Sequence, residues 1–108
     1  MDNDRMPEEM RAVRNGPPSP VYRIVLVCEG MPTTAGPKAA VDITEEFTRR
    51  PWHRNAACTW DGHALLLQVE NDFDPGGLAT MDEFSDAISA CVAEGFKGGI
   101  RMRSAIVL

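Results

Sequence analysis

Apolar residues recur along the chain at two different spacings, and the places where the spacing changes divide it into six elements. Val21 to Cys28, VYRIVLVC, is rich in β-branched residues and almost continuously apolar, with Arg23 its only charge. That pattern predicts a strand covered on both faces for most of its length. Pro37 to Arg50, PKAAVDITEEFTRR, changes to helical spacing: Ala40, Ile43 and Phe47 form one stripe, and Lys38, Asp42, Glu45, Glu46 and Arg49 form the solvated side. Pro37 is tolerated in a first turn and Pro51 ends the helix. An alternating reading of the same residues, with Val41, Ile43 and Phe47 inward, also turns Glu45 inward, so the helix is preferred. Arg54 to Trp60, RNAACTW, is a short, more polar strand, and Asp61-Gly62 joins it as a two-residue hairpin to the buried strand Ala64 to Val69.

The strand stops in an acidic turn, Glu70 to Gly77, where Pro75 removes a donor and the glycines leave the ladder conformation. Thr80-Met81-Asp82-Glu83 reads as a capping box, with the Thr80 hydroxyl and the Glu83 carboxylate satisfying free amides at a helix start. Met81, Phe84, Ile88, Cys91 and Val92 follow at helical spacing, and Gly95 stops the helix with Phe96 placed for an apolar contact. The last segment, Ile100 to Leu108, alternates: Ile100, Met102, Ser104 and Ile106 on one side, Arg101, Arg103, Ala105 and Val107 on the other. The order is therefore βαββαβ, the split βαβ of ferredoxin-like α+β folds, a two-layer sandwich with a four-stranded antiparallel sheet. In that topology strands one and three are central, and they are the most apolar here; the edge strands carry Arg54, Asn55, Arg101 and Arg103. Met1 to Pro20, which ends in Asn15-Gly16-Pro17-Pro18-Ser19-Pro20, has no apolar period and reads as a disordered leader to a single domain over residues 21–108.

Composition narrows the classes of function. The 108 residues, 44% hydrophobic and 25% charged, suit one small core, and self-association is an economical way to bury more surface. No apolar run approaches the roughly 20 residues of a membrane span, and the N-terminus lacks a secretory pattern. Three widely spaced cysteines without a CxxC pair fit a reducing, cytoplasmic location. The net charge of -5, with no basic patch, argues against nucleic acid or an anionic membrane as partner.

Three places carry candidate chemistry. With both helices on one sheet face, alternation puts Arg23, Val25, Val27, Ala57, Thr59, Leu66, Gln68, Arg101 and Arg103 on the other. Its apolar centre, Val25, Val27 and Leu66, rimmed by Arg and Gln, has the composition of a contact surface for a second copy or another protein. None of these positions is aromatic, which disfavours stacking of RNA bases. The acidic stretch offers Asp72, Asp74 and Glu83 at positions one, three and twelve of a calcium-type loop, with Gly77 at six, for Ca or Mg. Gly76 at position five, Pro75 and the preceding strand break that pattern, and turn bonding by Asp74 and capping by Glu83 account for the same acids. Trp52, His53 and Arg54, with His63 across the hairpin, offer bases or soft-metal ligands, but the two histidines and Cys58 show no zinc spacing, and His53 beside Asp72 or Asp74 is an acid-base pair that three dimensions would have to assemble. Cys28 stands where ferredoxin-like metal chaperones carry their metal loop, a topological resemblance only, since Cys28-Glu29-Gly30-Met31 has one thiol where they have two. The expectation is a module that acts by protein binding or homodimerisation, not by catalysis, without a cofactor. The alternatives are a metal-binding or small enzymatic domain at Asp72-Asp74, or an acidic inhibitor of a basic partner supported by the charge at Glu70 to Asp86.

Overall fold

A computed structural model describes residues 20–91 and 98–108. Its elements are β1 (Tyr22–Glu29), α1 (Gly36–Thr48), β2 (Arg54–Trp60), β3 (Ala64–Asn71), α2 (Leu78–Cys91) and β4 (Gly99–Val107). The strands form one open antiparallel sheet in the order β2-β3-β1-β4, an α+β architecture compatible with a ferredoxin-like arrangement. The apolar strands β1 and β3 are central and the arginine-bearing strands are edges, as their composition requires. Residues 37–50 are helical, from Gly36 to Thr48, with Pro37 in the first turn. The leader up to Ser19, and the helix stop at Gly95 with Val92 and Phe96, lie outside the described residues.

The core lies on one side of the sheet. Ile24, Leu26 and Cys28 of β1, with Leu65, Leu67 and Val69 of β3, are fully buried against Ile43 and Phe47 of α1 and Phe84 and Ile88 of α2. Burying a Phe or Leu side chain contributes about 1.5–3 kcal/mol, so these residues hold both helices to the sheet. The N-terminus of α1 lies flat on β2, because a Cβ at Gly36 would fall inside the Trp60 indole ring. Thr44 ties α1 to the same strand: its hydroxyl accepts from the Cys58 N–H at 2.9 Å and lies 2.8 Å from the Ala40 carbonyl and 3.2 Å from that of Cys58.

Local chemistry corrects the sequence reading at three points. The two-residue turn between β2 and β3 is Gly62-His63, not Asp61-Gly62: Asp61 N–H donates to Ala64 O at 3.2 Å, and Gly62, at φ 99°, takes the first central position. Asp61 remains outside as the anchor, accepting from the His63 and Ala64 amides at 2.8 Å each. Helix α2 starts at Leu78, and the group that caps it is Asp74, not Thr80. The Asp74 carboxylate accepts from Ala79 N–H at 3.3 Å, Thr80 N–H at 2.8 Å and the Thr80 hydroxyl at 2.7 Å. A carboxylate five residues upstream satisfies the first-turn amides because the Pro75-Gly76-Gly77 turn folds it back over them; at Gly77 a Cβ would collide with Met102. Finally, β4 breaks register between the partners of Val25 and Leu26. Met102 faces Leu26 and Ser104 faces Val25, so Arg103 has no partner on β1 and the alternation inverts. Beyond it Ser104 and Ile106 stand on the helix-free face, while Ala105 and Val107 stand on the helix side, the reverse of the uninterrupted pattern.

Candidate functional site: an open sheet face and a closed polar network

Neither described helix covers the second face of the sheet. Its middle is formed by Val25, paired with Gln68, and Val27, paired with Leu66. Val25 and Leu66 are half-buried, while Val27 is 5% exposed. Around this centre the charges are already matched. Arg23 donates through Nε and a terminal nitrogen to one Glu70 oxygen, both at 3.2 Å, and Asn55 donates to the other at 2.9 Å. Those bonds, Asn55 first and then Arg23, outweigh partial burial and hold the Glu70 carboxyl below its usual range. Asn55 reaches Glu70 from a bulge in β2, where it adopts φ 52°, a conformation Asn tolerates. At the opposite corner Arg101 meets Glu29 at 3.5 Å.

All of Arg23, Val25, Val27, Leu66, Gln68 and Arg101 therefore share this face, and Arg103 falls in the bulge of β4. Glu70, Asn55, Ser104 and Ile106 join the face without having been expected there. For Glu70 a signal existed: it continues the period of Leu66 and Gln68, but the strand extends to Asn71, two residues beyond Val69. No local signal marks the bulge that brings Ser104 and Ile106 round.

The acidic stretch is dispersed. Asp74 is consumed by the α2 cap; Asp72 is exposed and lies 3.7 Å from Arg54; Glu83 is bound to Arg50, Trp52 and His53. Among the described residues no group of three or more His, Cys, Asp or Glu is gathered in a way that could hold a metal ion. Glu83 instead accepts from Arg50 at 2.7 Å and from Trp52 Nε1 at 3.3 Å, and its Oε1 lies 2.9 Å from His53 Nε2. Burial works against ionisation of Glu83, but the hydrogen bonds from His53, Arg50 and Trp52 prevail and its carboxyl lies below the usual range. His53 is thus partnered with Glu83, not with Asp72 or Asp74, and its side chain has no exposure to solvent.

The protonation pattern of that histidine follows from its neighbours. Phe73 and Asp74 donate backbone N–H groups to Asn71 Oδ1 at 3.3 and 3.1 Å, which fixes the amide. Asn71 Nδ2 then faces His53 Nδ1 at 3.3 Å and Thr80 Oγ1 at 3.4 Å, so Nδ1 is an acceptor and the donor to Glu83 is Nε2–H. Phe47, Trp52 and Phe73 pack around the ring with centroids 5.3, 6.0 and 5.9 Å away. The cluster joins the turn after α1 to the end of β3 and the start of α2. Such a cluster holds these elements in position relative to one another.

The remaining candidates are quieter. A groove of about 330 Å³ between the helices is lined by Asp42, Glu46, Arg50, Asp86, Ala87 and Cys91, and its Arg50 is already bound to Glu46 and Glu83. Cys28 and Cys58 are free and buried; burial pushes the Cys28 thiol up to about 11 and the Cys58 thiol up to about 12, far from the thiolate a nucleophile or soft-metal ligand needs. No helix of the described residues is long and apolar enough to cross a membrane. Set beside known proteins, the chain matches no family model, no curated protein and no solved structure.

Proposed function

We propose that this protein is a non-catalytic binding module of ferredoxin-like, split-βαβ topology that self-associates through its helix-free sheet face. The observation that carries the reading is the placement of Val25, Val27 and Leu66 at the centre of a face that neither described helix covers. A second copy is the best-matched occupant. The surrounding charges are of both signs and already paired as Arg23–Glu70 and Arg101–Glu29, so covering them strands no lone charge and offers no field to a partner of one sign. The acidic stretch gives less support to a basic partner, since Glu70, Asp72, Asp74 and Glu83 are all engaged by groups of the same chain. The test is sedimentation across about a hundredfold range of concentration, comparing wild type with Val25→Lys. A lysine in the middle of the face should weaken association by tenfold or more, because a desolvated unpaired charge costs upwards of about 1.4 kcal/mol. Association unchanged by Val25→Lys removes the sheet face from consideration.

A further inference from the structure

The two edges of the sheet end differently. In β2 the register with β3 pairs Ala57 with Gln68 and Thr59 with Leu66, and the register of β3 with β1 directs those residues' backbone groups inward, so Cys58 turns its own outward. Thr44 of α1 waits there, its hydroxyl accepting from the Cys58 N–H at 2.9 Å. With the Asn55 bulge beside it, this edge is blocked against another strand.

Among the described residues, nothing comparable covers the outer edge of β4 in its second half. Leu108 N–H donates to Val21 O at 2.8 Å, and the register Arg23↔Ile106, Ile24↔Ala105, Tyr22↔Val107 continues the alternation. Ile106 and Ser104 therefore bond to β1, while Ala105 and Val107 direct their N–H and C=O groups away from the sheet. Ile106, Val107 and Leu108 are 46%, 65% and 53% exposed. The stretch Ser104 to Leu108 contains no charged side chain, proline or glycine, and the features that discourage pairing, Arg101, Arg103 and the bulge, all lie before it.

We propose that Ser104–Leu108 is a second interaction surface, at which the edge pairs antiparallel with the same stretch of a second copy about an axis through Ile106. In that register Ala105 and Val107 of each copy exchange both backbone bonds with Val107 and Ala105 of the other, and Ser104 lies opposite Leu108. Ile106 meets its own counterpart on the helix-free side. The choice of a second copy rests on charge and register. The arginines of both copies fall outside the paired stretch, whereas moving the axis back to Arg103 would set like charges opposite one another. The stretch itself has no charged side chain with which to select an acidic or a basic peptide. This pairing uses backbone at the edge and stands independently of the sheet-face contact.

The experiment uses the full chain as wild type, Val107→Pro, Val25→Lys and the double variant, followed by sedimentation velocity and by amide hydrogen exchange at low and high concentration. Val107→Pro removes an outward donor only, at an edge position where proline is tolerated, and circular dichroism verifies the fold. Because half the bonds across the axis use the Val107 N–H, its association should weaken by roughly thirtyfold, while Val25→Lys leaves the edge contact in place. In wild type, the Ala105 and Val107 amides should become protected as concentration rises. The proposal is overturned if Val107→Pro associates as wild type does, if those two amides exchange at one rate at every concentration, or if the chain stays monomeric throughout. Loss of association with Val25→Lys alone would leave the sheet face as the contact and remove the edge.

Discussion

Replacing Asp74 by alanine tests the account of how α2 begins. The residue is 7% exposed and its carboxylate receives the Ala79 N–H, the Thr80 N–H and the Thr80 hydroxyl, with Thr80 itself fully buried. Losing a helix cap costs about 1 kcal/mol and at most about 2. The Thr80 N–H is further left without an acceptor where water does not reach, at about 1–3 kcal/mol, while the hydroxyl can rotate to another partner. The sum is about 2–4 kcal/mol, a large share of the roughly 5–15 kcal/mol that separates a folded domain from its unfolded chain. For a chain of this size it corresponds to a fall in Tm of roughly 10–25 °C. Urea unfolding followed by circular dichroism measures it directly, with an unchanged slope confirming that the loss is one of stability. The informative comparison is Thr80→Ala, which removes one acceptor for Asn71 and one donor to Asp74 but leaves both amide bonds to Asp74. If Thr80 were the cap, the order of the two variants would reverse. A loss below about 0.5 kcal/mol for Asp74→Ala, or a larger loss for Thr80→Ala, would refute the assignment.

Two other perturbations follow from the packing. Glu83 is held below its usual range in the folded protein, so it adds stability above the ordinary glutamate range that is lost as pH falls through the folded value. Wild type should therefore lose more stability than Glu83→Gln between about pH 5 and pH 3, and parallel unfolding curves for the two proteins would contradict this. Gly36→Ala puts a methyl into the Trp60 ring; the overpacking, about 1–3 kcal/mol, should exceed the roughly 0.5–1 kcal/mol that alanine gains in a helix, and displacement of the indole should shift the tryptophan fluorescence. A more stable variant with an unaltered spectrum would show that the contact is not close.

The strands and helices were legible because their signals are local and repeated. Val21 to Cys28 and Ala64 to Val69 contain enough apolar side chains to demand cover on both sides, and Pro37 and Pro51 bracket the segment that could have been read either way. The errors share a different cause. A turn one residue later than Asp61-Gly62, a helix cap taken from Asp74, and the inverted face of Ser104 and Ile106 each depend on a single backbone choice that leaves the hydrophobic pattern almost unchanged. The partnership of His53 with Glu83 spans 30 residues and arises only when α2 docks beside the turn after α1; no spacing in the chain encodes it. The open face was legible in its centre and not at its rim, because Val25 and Leu66 are fixed by strand period, whereas Asn55 and Ile106 reach the face through bulges.

The amide of Asn71 gives its position an unusual intolerance to a change of one atom. Its oxygen is surrounded by donors and its nitrogen by acceptors, so the side chain passes hydrogen-bond polarity in one direction, from the Phe73 and Asp74 amides through the imidazole to Glu83. Aspartate has the same shape and would fit the cavity without steric conflict, yet it would present an acceptor to His53 Nδ1 and to Thr80, bring a charge into a fully buried place, and require the imidazole to donate at both nitrogens. A smaller residue would leave the Phe73 and Asp74 amides without their acceptor and His53 Nδ1 without its donor. Tolerance at residue 71 is governed by the direction of its bonds more than by its volume.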